Sequence, residues 1–183
     1  MHPAAVSLPL CLLWLIAIVV MDLRLRKVRN WMVLLGLGVG MLVLAVDMQP
    51  FAVSPAKALL GMLAAFAALL PFYALRWMGA GDVKFAAVIG LWFGLSPLLL
   101  AIWIGGSLLA GAHGVLVLAW HRLRATSTGL WLQAHLPFGA AGAPEAPALF
   151  AGRAAIQRSV PYAGYMAVAA IWLVLAGEAV PGR

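Results

Sequence analysis

The sequence predicts an all-α membrane protein with six transmembrane helices, and three observations predict it. Of 183 residues, 66% are hydrophobic and 9% charged, with a mean hydropathy of +1.06. A water-soluble domain carries about 45–50% apolar and about 25% charged residues, so a soluble fold would lack the polar surface to cover itself. The apolar residues fall in uncharged runs long enough to cross a bilayer as helices. Between those runs lie the basic residues. Twelve Lys and Arg against five Asp and Glu give a net charge of +7, read here as a topology marker and not as the mark of a nucleic-acid partner.

Span one is Pro3 to Met21 (3–21), 19 residues without a charge, where about 20 are needed to cross the hydrocarbon core. No basic segment precedes it and the cluster Arg24, Arg26, Lys27, Arg29 follows it, which argues against a cleaved signal peptide. Span two, 31–46, is closed by Asp47 and the turn-forming Gln49-Pro50. Span three, 58–75, is closed by Arg76.

Phe85 to Trp120 then runs for 36 residues without Asp, Glu, Lys or Arg, which as one helix would reach about 54 Å. That is too long for one crossing. Ser96-Pro97, beside Gly94, supplies the break, because proline disfavours helix at the residue before it and is accepted at a helix start. Spans four and five are therefore 82–95 and 97–120, and span six is 161–180. With the N-terminus outside, ten basic residues face the cytoplasm and two the exterior. Merging spans four and five would leave seven against five, so the positive-inside bias favours six spans with both termini outside.

The connection 121–160, with its Gly/Ala/Pro-rich centre, is expected on the cytoplasmic interface, its arginines reaching headgroups. No internal repeat is visible, so residues 1–183 are read as one domain. Gly36, Gly40, Gly90, Gly94, Gly105, Gly106, Gly111 and Gly114 are read as sites of close helix packing. The single cysteine, Cys11, lies in an apolar run and excludes a disulfide framework and a multi-cysteine zinc site. His121 and His135 lack the spacing and carboxylate company of metal ligands, so no metal and no cofactor is expected.

This topology brings two aspartates to the same face of the membrane: Asp22 at the cytoplasmic end of span one and Asp82 at the start of span four. Either alone reads as a topology charge or a helix cap. Together they suggest chemistry, since ionisable groups beside hydrocarbon are costly. Two adjacent carboxylates cannot both ionise easily, so one keeps a proton while the other accepts one from water. Such a pair hydrolyses an amide: the ionised member activates water, and the protonated member bonds the scissile carbonyl oxygen and then helps protonate the leaving amine.

The local sequences carry a resemblance. Asp22-Leu23-Arg24-Leu25-Arg26-Lys27-Val28-Arg29-Asn30 resembles the first-aspartate motif of the type IV prepilin peptidases, in which Asn follows the Asp by eight residues after a basic segment. Gly79-Ala80-Gly81-Asp82-Val83-Lys84 is similar to their GxGD motif with its trailing Lys, and Val160-Pro161-Tyr162 resembles the motif opening their last helix. Arg29 departs from the family's proline before the Asn. With the six-span plan, the three motifs cover nearly the whole chain.

The resemblance implies an aspartic endopeptidase of the bacterial inner membrane, with Asp22 and Asp82 catalytic and facing the cytoplasm. It would remove the short basic leader of a prepilin or pseudopilin after the leader's terminal Gly. The paired cysteines of the bifunctional relatives are missing, so it implies a peptidase-only form without N-methyltransferase activity, similar to those of tight-adherence (Flp-type) pilus systems. Pilus or secretion machinery would be its setting and the lipid bilayer its other partner.

Around the aspartates, Gly79 and Gly81 would let substrate or a neighbouring helix approach closely. Lys84 is read either as a partner of the ionised carboxylate or substrate, or as an interfacial anchor. Arg24 and Asn30 shape the first loop or bind substrate backbone, and Asn30 reads equally as a cap of span two. Pro161 and Tyr162 belong to the third motif; Tyr162 either helps hold the two catalytic helix ends or is an interfacial aromatic. His113 is read as a neutral side chain bonded to a neighbouring helix. The alternative function is a non-catalytic scaffold subunit of a pilus or secretion assembly. A transporter ranks last, because His113 alone supplies an ionisable group near mid-membrane.

Overall fold

The computed structural model describes residues 4–25, 28–124 and 161–178, all of whose regular elements are helices. In chain order these are α1 (Ala4–Leu25), α2 (Asn30–Ala45), α3 (Pro55–Ala74), α4 (Ala80–Phe93), α5 (Pro97–Arg124) and α6 (Tyr162–Glu178). The expected interfacial segment falls largely on 125–160, outside the described residues.

Local chemistry sets the ends. Asp47 and Arg76 take left-handed φ values of 54° and 59°. After each, the next amide reaches back five residues: Met48 N–H to the Val43 carbonyl and Trp77 N–H to the Phe72 carbonyl, both 2.9 Å. This is the Schellman closure, filled here by Asp and Arg where glycine is usual. The helix α3 starts at Pro55, three residues before the expected span, because Ser54 caps it by accepting Lys57 N–H at 3.4 Å with proline at the first position. Ser96 does the same for α5, accepting Leu99 N–H at 3.3 Å, so the chain breaks at Ser96-Pro97 as the sequence predicts. Gly94, at φ +63°, ends α4 two residues before the expected boundary. At the other end α1 continues past Met21 through Asp22 to Leu25, since a single charge ends a hydrophobic run without breaking a helix.

The short helix α4 is the centre. Asp82, Val83, Phe85, Ala86 and every residue from Val88 to Phe93 are buried, so neighbours enclose most of the helix, while Ala80 and Lys84 near its start stay exposed. Against α3 the approach is backbone to backbone, with Gly61 and Gly90 facing each other too closely for either to carry a Cβ. Against α1 and α2 it is aromatic: Trp14 lies 5.4 Å from Phe85 and 6.5 Å from Trp92 between ring centroids. Each indole N–H donates to an α2 carbonyl, Trp14 to Met32 at 2.9 Å and Trp92 to Gly36 at 3.0 Å. Buried indoles need such partners.

The outside is as apolar as the inside. Leu13, Leu34, Leu63, Leu108, Val115, Leu116 and Leu118 are all more than half exposed, an exterior suited to lipid. Val6–Leu25, Pro55–Ala74 and Pro97–Trp120 are long and apolar enough to cross a membrane, and Asn30–Ala45 and Tyr162–Gly177 are shorter apolar helices.

Candidate active site

The last turn of α1 and the first turns of α2, α4 and α6 meet at one end of the bundle. Asp22 and Asp82 lie there, both buried, at 3% and 8% exposure. What joins them is the start of α6. A helix N-terminus carries amides without intrahelical acceptors, and two consecutive ones are used here: Ala163 N–H donates to Asp82 Oδ1 at 3.1 Å and Gly164 N–H to Asp22 Oδ2 at 2.6 Å. The positive end of the α6 dipole thus faces both carboxylates.

Asp82 also belongs to the opening of its own helix. Gly79 is the N-cap, and the Asp82 side chain, three residues on, accepts Gly79 N–H on Oδ2 at 3.2 Å. Both its oxygens are therefore held by backbone donors. The two motif glycines differ: a Cβ on Gly79 would lie 3.2 Å from Asp82 Oδ2, whereas one on Gly81 would make an ordinary 3.4 Å contact with Val28 Cβ in the loop after α1. Gly79 thus keeps space beside the carboxylate, and Gly81 lies against that loop.

Lys84 is exposed and donates from Nζ to Asn30 Oδ1 at 3.3 Å, a partner that the sequence reading does not name for it. Asn30 is the first residue of α2 and not its cap; Arg29 holds the cap position, with no side-chain cap bond. Arg24 is exposed on the last turn of α1. Pro161 is buried directly before α6, and its carbonyl accepts Tyr165 N–H at 3.3 Å. Tyr162 OH lies 3.1 Å from Ser107 Oγ, tying the start of α6 to α5. The His113 ring sits 5.6 Å from the Tyr165 ring, beside α6.

A cavity of about 370 Å³ opens beside Asp82, lined also by Trp77, Met78 and Tyr162 and by Ala110, Gly111 and Gly114 of α5. This corrects the reading of two glycines. A Cβ added to Gly111 or Gly114 would meet nothing within 4 Å, so they leave open space where the sequence predicts close packing. Gly36, Gly40, Gly90 and Gly106 do pack closely, and Gly94 serves a turn. The residues that sequence reasoning missed are Ala163 and Gly164, which act through backbone atoms. Their signal was Pro161, a helix-start residue followed by amides that need acceptors.

Among the described residues no group of three or more His, Cys, Asp or Glu is placed to hold a metal. The arrangement offers two carboxylates on consecutive backbone donors, one of them lining a cavity, which suits proton exchange with a water and a bound carbonyl.

No curated protein and no solved structure gives a significant match to this chain. Its sequence does match the type IV leader peptidase family over residues 10–115, more than half of the chain and a stretch that includes Asp22 and Asp82, and the chain therefore belongs to that family.

Proposed function

We infer that this peptidase is an aspartic endopeptidase that removes the short basic leader of type IV or Flp-type prepilins or pseudopilins at the cytoplasmic face of the bacterial inner membrane. The observation that carries this reading is the convergence of Asp22 and Asp82 on the consecutive amides of Ala163 and Gly164, next to a cavity lined by Asp82 and Tyr162. Six crossings with both termini outside put this end of the bundle at the cytoplasmic surface, where the basic loops lie.

In this mechanism a prepilin leader lies across the cavity with its scissile carbonyl toward Asp82, the carboxylate that lines it. One aspartate takes a proton from water as the water attacks; the other donates a hydrogen bond to the carbonyl oxygen and then a proton to the leaving amine. Every proton is supplied by water and the pair, so the hydrolysis in this reading uses no cofactor, and the peptidase-only reading rests on the missing paired cysteines. Tyr162, held by Ser107, borders the same space, and Lys84 with Asn30 fastens α4 to the start of α2.

The test is cleavage of a short-leader prepilin by the purified protein in lipid, read as product mass, for wild type, Asp22→Asn and Asp82→Asn. Leader loss with wild type alone is the expected result. Substantial turnover by either variant overturns the pair. A folded wild type that cleaves none of several prepilins supports a scaffold in a pilus or secretion assembly.

A further inference from the structure

Gly164 makes the shortest hydrogen bond of the candidate site, and its geometry crowds any substituent against the group it binds. Its N–H holds Asp22 Oδ2 at 2.6 Å. A Cβ built on it would lie 3.1 Å from that same oxygen and 3.4 Å from Asp22 Cβ, with Leu23 Cδ2 at an ordinary 3.5 Å. The carboxylate cannot retreat from a new methyl without stretching the bond that fixes it. Gly164 has no positive φ, so the backbone there suits any residue, and helix propensity by itself would favour alanine over glycine. What glycine provides is space beside Asp22.

We propose that Gly164 is the positioning residue for Asp22: its amide fixes the carboxylate and its missing Cβ lets the carboxylate reach that amide. This rests on the reading of Asp22 and Asp82 as the catalytic pair. Gly164 touches neither substrate nor water in this scheme. It acts by setting where one oxygen of Asp22 sits relative to Asp82, which the neighbouring amide of Ala163 holds in turn.

The test uses the full chain in lipid and the prepilin that wild type cleaves, with kcat and KM measured separately. Gly164→Ala is expected to lower kcat about tenfold, since the 3.1 Å contact requires a shift of a few tenths of an ångström, a fraction of the roughly 1 Å that costs about 100-fold, while KM stays within about twofold of wild type. Gly38→Ala, whose added methyl meets nothing within 4 Å, is expected to behave as wild type. Adding Leu23→Ala to Gly164→Ala is expected to restore nothing; restoration would mean that crowding of Leu23 is the cause and would overturn the proposal.

A second variant removes the donor without adding bulk: an ester in place of the Ala163–Gly164 peptide bond. That amide lies in the first turn of α6, where it has no acceptor within the helix, so folding is preserved and kcat is expected to fall about tenfold, the scale of one lost charge-assisted hydrogen bond. Wild-type kcat in the ester variant, or a change confined to KM in Gly164→Ala, overturns the proposal. Asp22→Asn and Asp82→Asn run alongside: if they are inactive while the Gly164 variants are fully active, the positioning role alone fails, and if they cleave, the catalytic pair fails.

Discussion

Gly90→Ala tests whether the contact between α3 and α4 holds Asp82 in place. An added Cβ would overlap the Gly61 carbonyl and come to 2.8 Å from Met62 N. Non-bonded carbon contacts are comfortable at about 3.5–4.0 Å, so the two helices must part by roughly 1 Å. Overpacking of this kind costs about 1–3 kcal/mol. In a bilayer, where close packing is a main force between helices, no gain in apolar burial offsets it. For a chain of this size each kcal/mol moves Tm by about 2–4 °C, giving a fall of roughly 2–12 °C. Asp82 lies on the same helix, about 12 Å along its axis, and a shift of about 1 Å at a reacting group costs on the order of 100-fold in rate. The assay pairs thermal unfolding in detergent with prepilin cleavage, and Gly38→Ala serves as the control. An unchanged Tm would refute the packing argument; a lowered Tm with full cleavage at a temperature where the variant is folded would refute the idea that α4 transmits the shift.

Two further outcomes follow from local contacts. Lys84→Met and Asn30→Ala each remove the same exposed 3.3 Å bond, so each is expected to change stability by less than about 0.5 kcal/mol and to alter cleavage equally. The double variant should be no worse than either single one, and additive losses in a double-mutant cycle would show that they act separately. Ser96→Ala removes the acceptor for Leu99 N–H at the start of α5 and is expected to cost about 0.5–2 kcal/mol, seen as a lower Tm with normal cleavage by the folded protein.

The parts of this molecule visible in the sequence are those set by neighbours along the chain. The Ser96-Pro97 break and the closures at Asp47 and Arg76 are decided within a few residues, whereas α4 starts at Ala80, two residues before the expected span, with Gly79 and not Asp82 as its cap. The convergence of Asp22 and Asp82 followed from counting crossings and basic loops. What joins them did not: the bonds from α6 span 81 and 142 residues of chain and come from backbone atoms, which no side-chain pattern reveals. The roles of Gly111 and Gly114 were hidden for a related reason. Small residues look alike in sequence whether a helix or open space lies beside them, and only the fold distinguishes the packed Gly90 from the cavity-lining Gly111.

The amides of α6 also bear on how the proposed pair should be removed experimentally. Two buried carboxylates side by side repel each other, and the positive end of a helix, equivalent to roughly half an elementary charge, offsets part of that cost. The relation is mutual, because Ala163 and Gly164 N–H need acceptors as much as the carboxylates need donors. An asparagine keeps one carbonyl oxygen for each amide, although at Asp82 it cannot serve both Ala163 and Gly79. An alanine leaves the buried amide with no acceptor, at a cost of about 1–3 kcal/mol each. Asp22→Ala combined with Asp82→Ala is therefore expected to unfold at a clearly lower temperature than Asp22→Asn combined with Asp82→Asn, although both lack cleavage. Equal Tm values for the two double variants would show that the start of α6 is held by packing alone, and that the carboxylates contribute nothing to its stability.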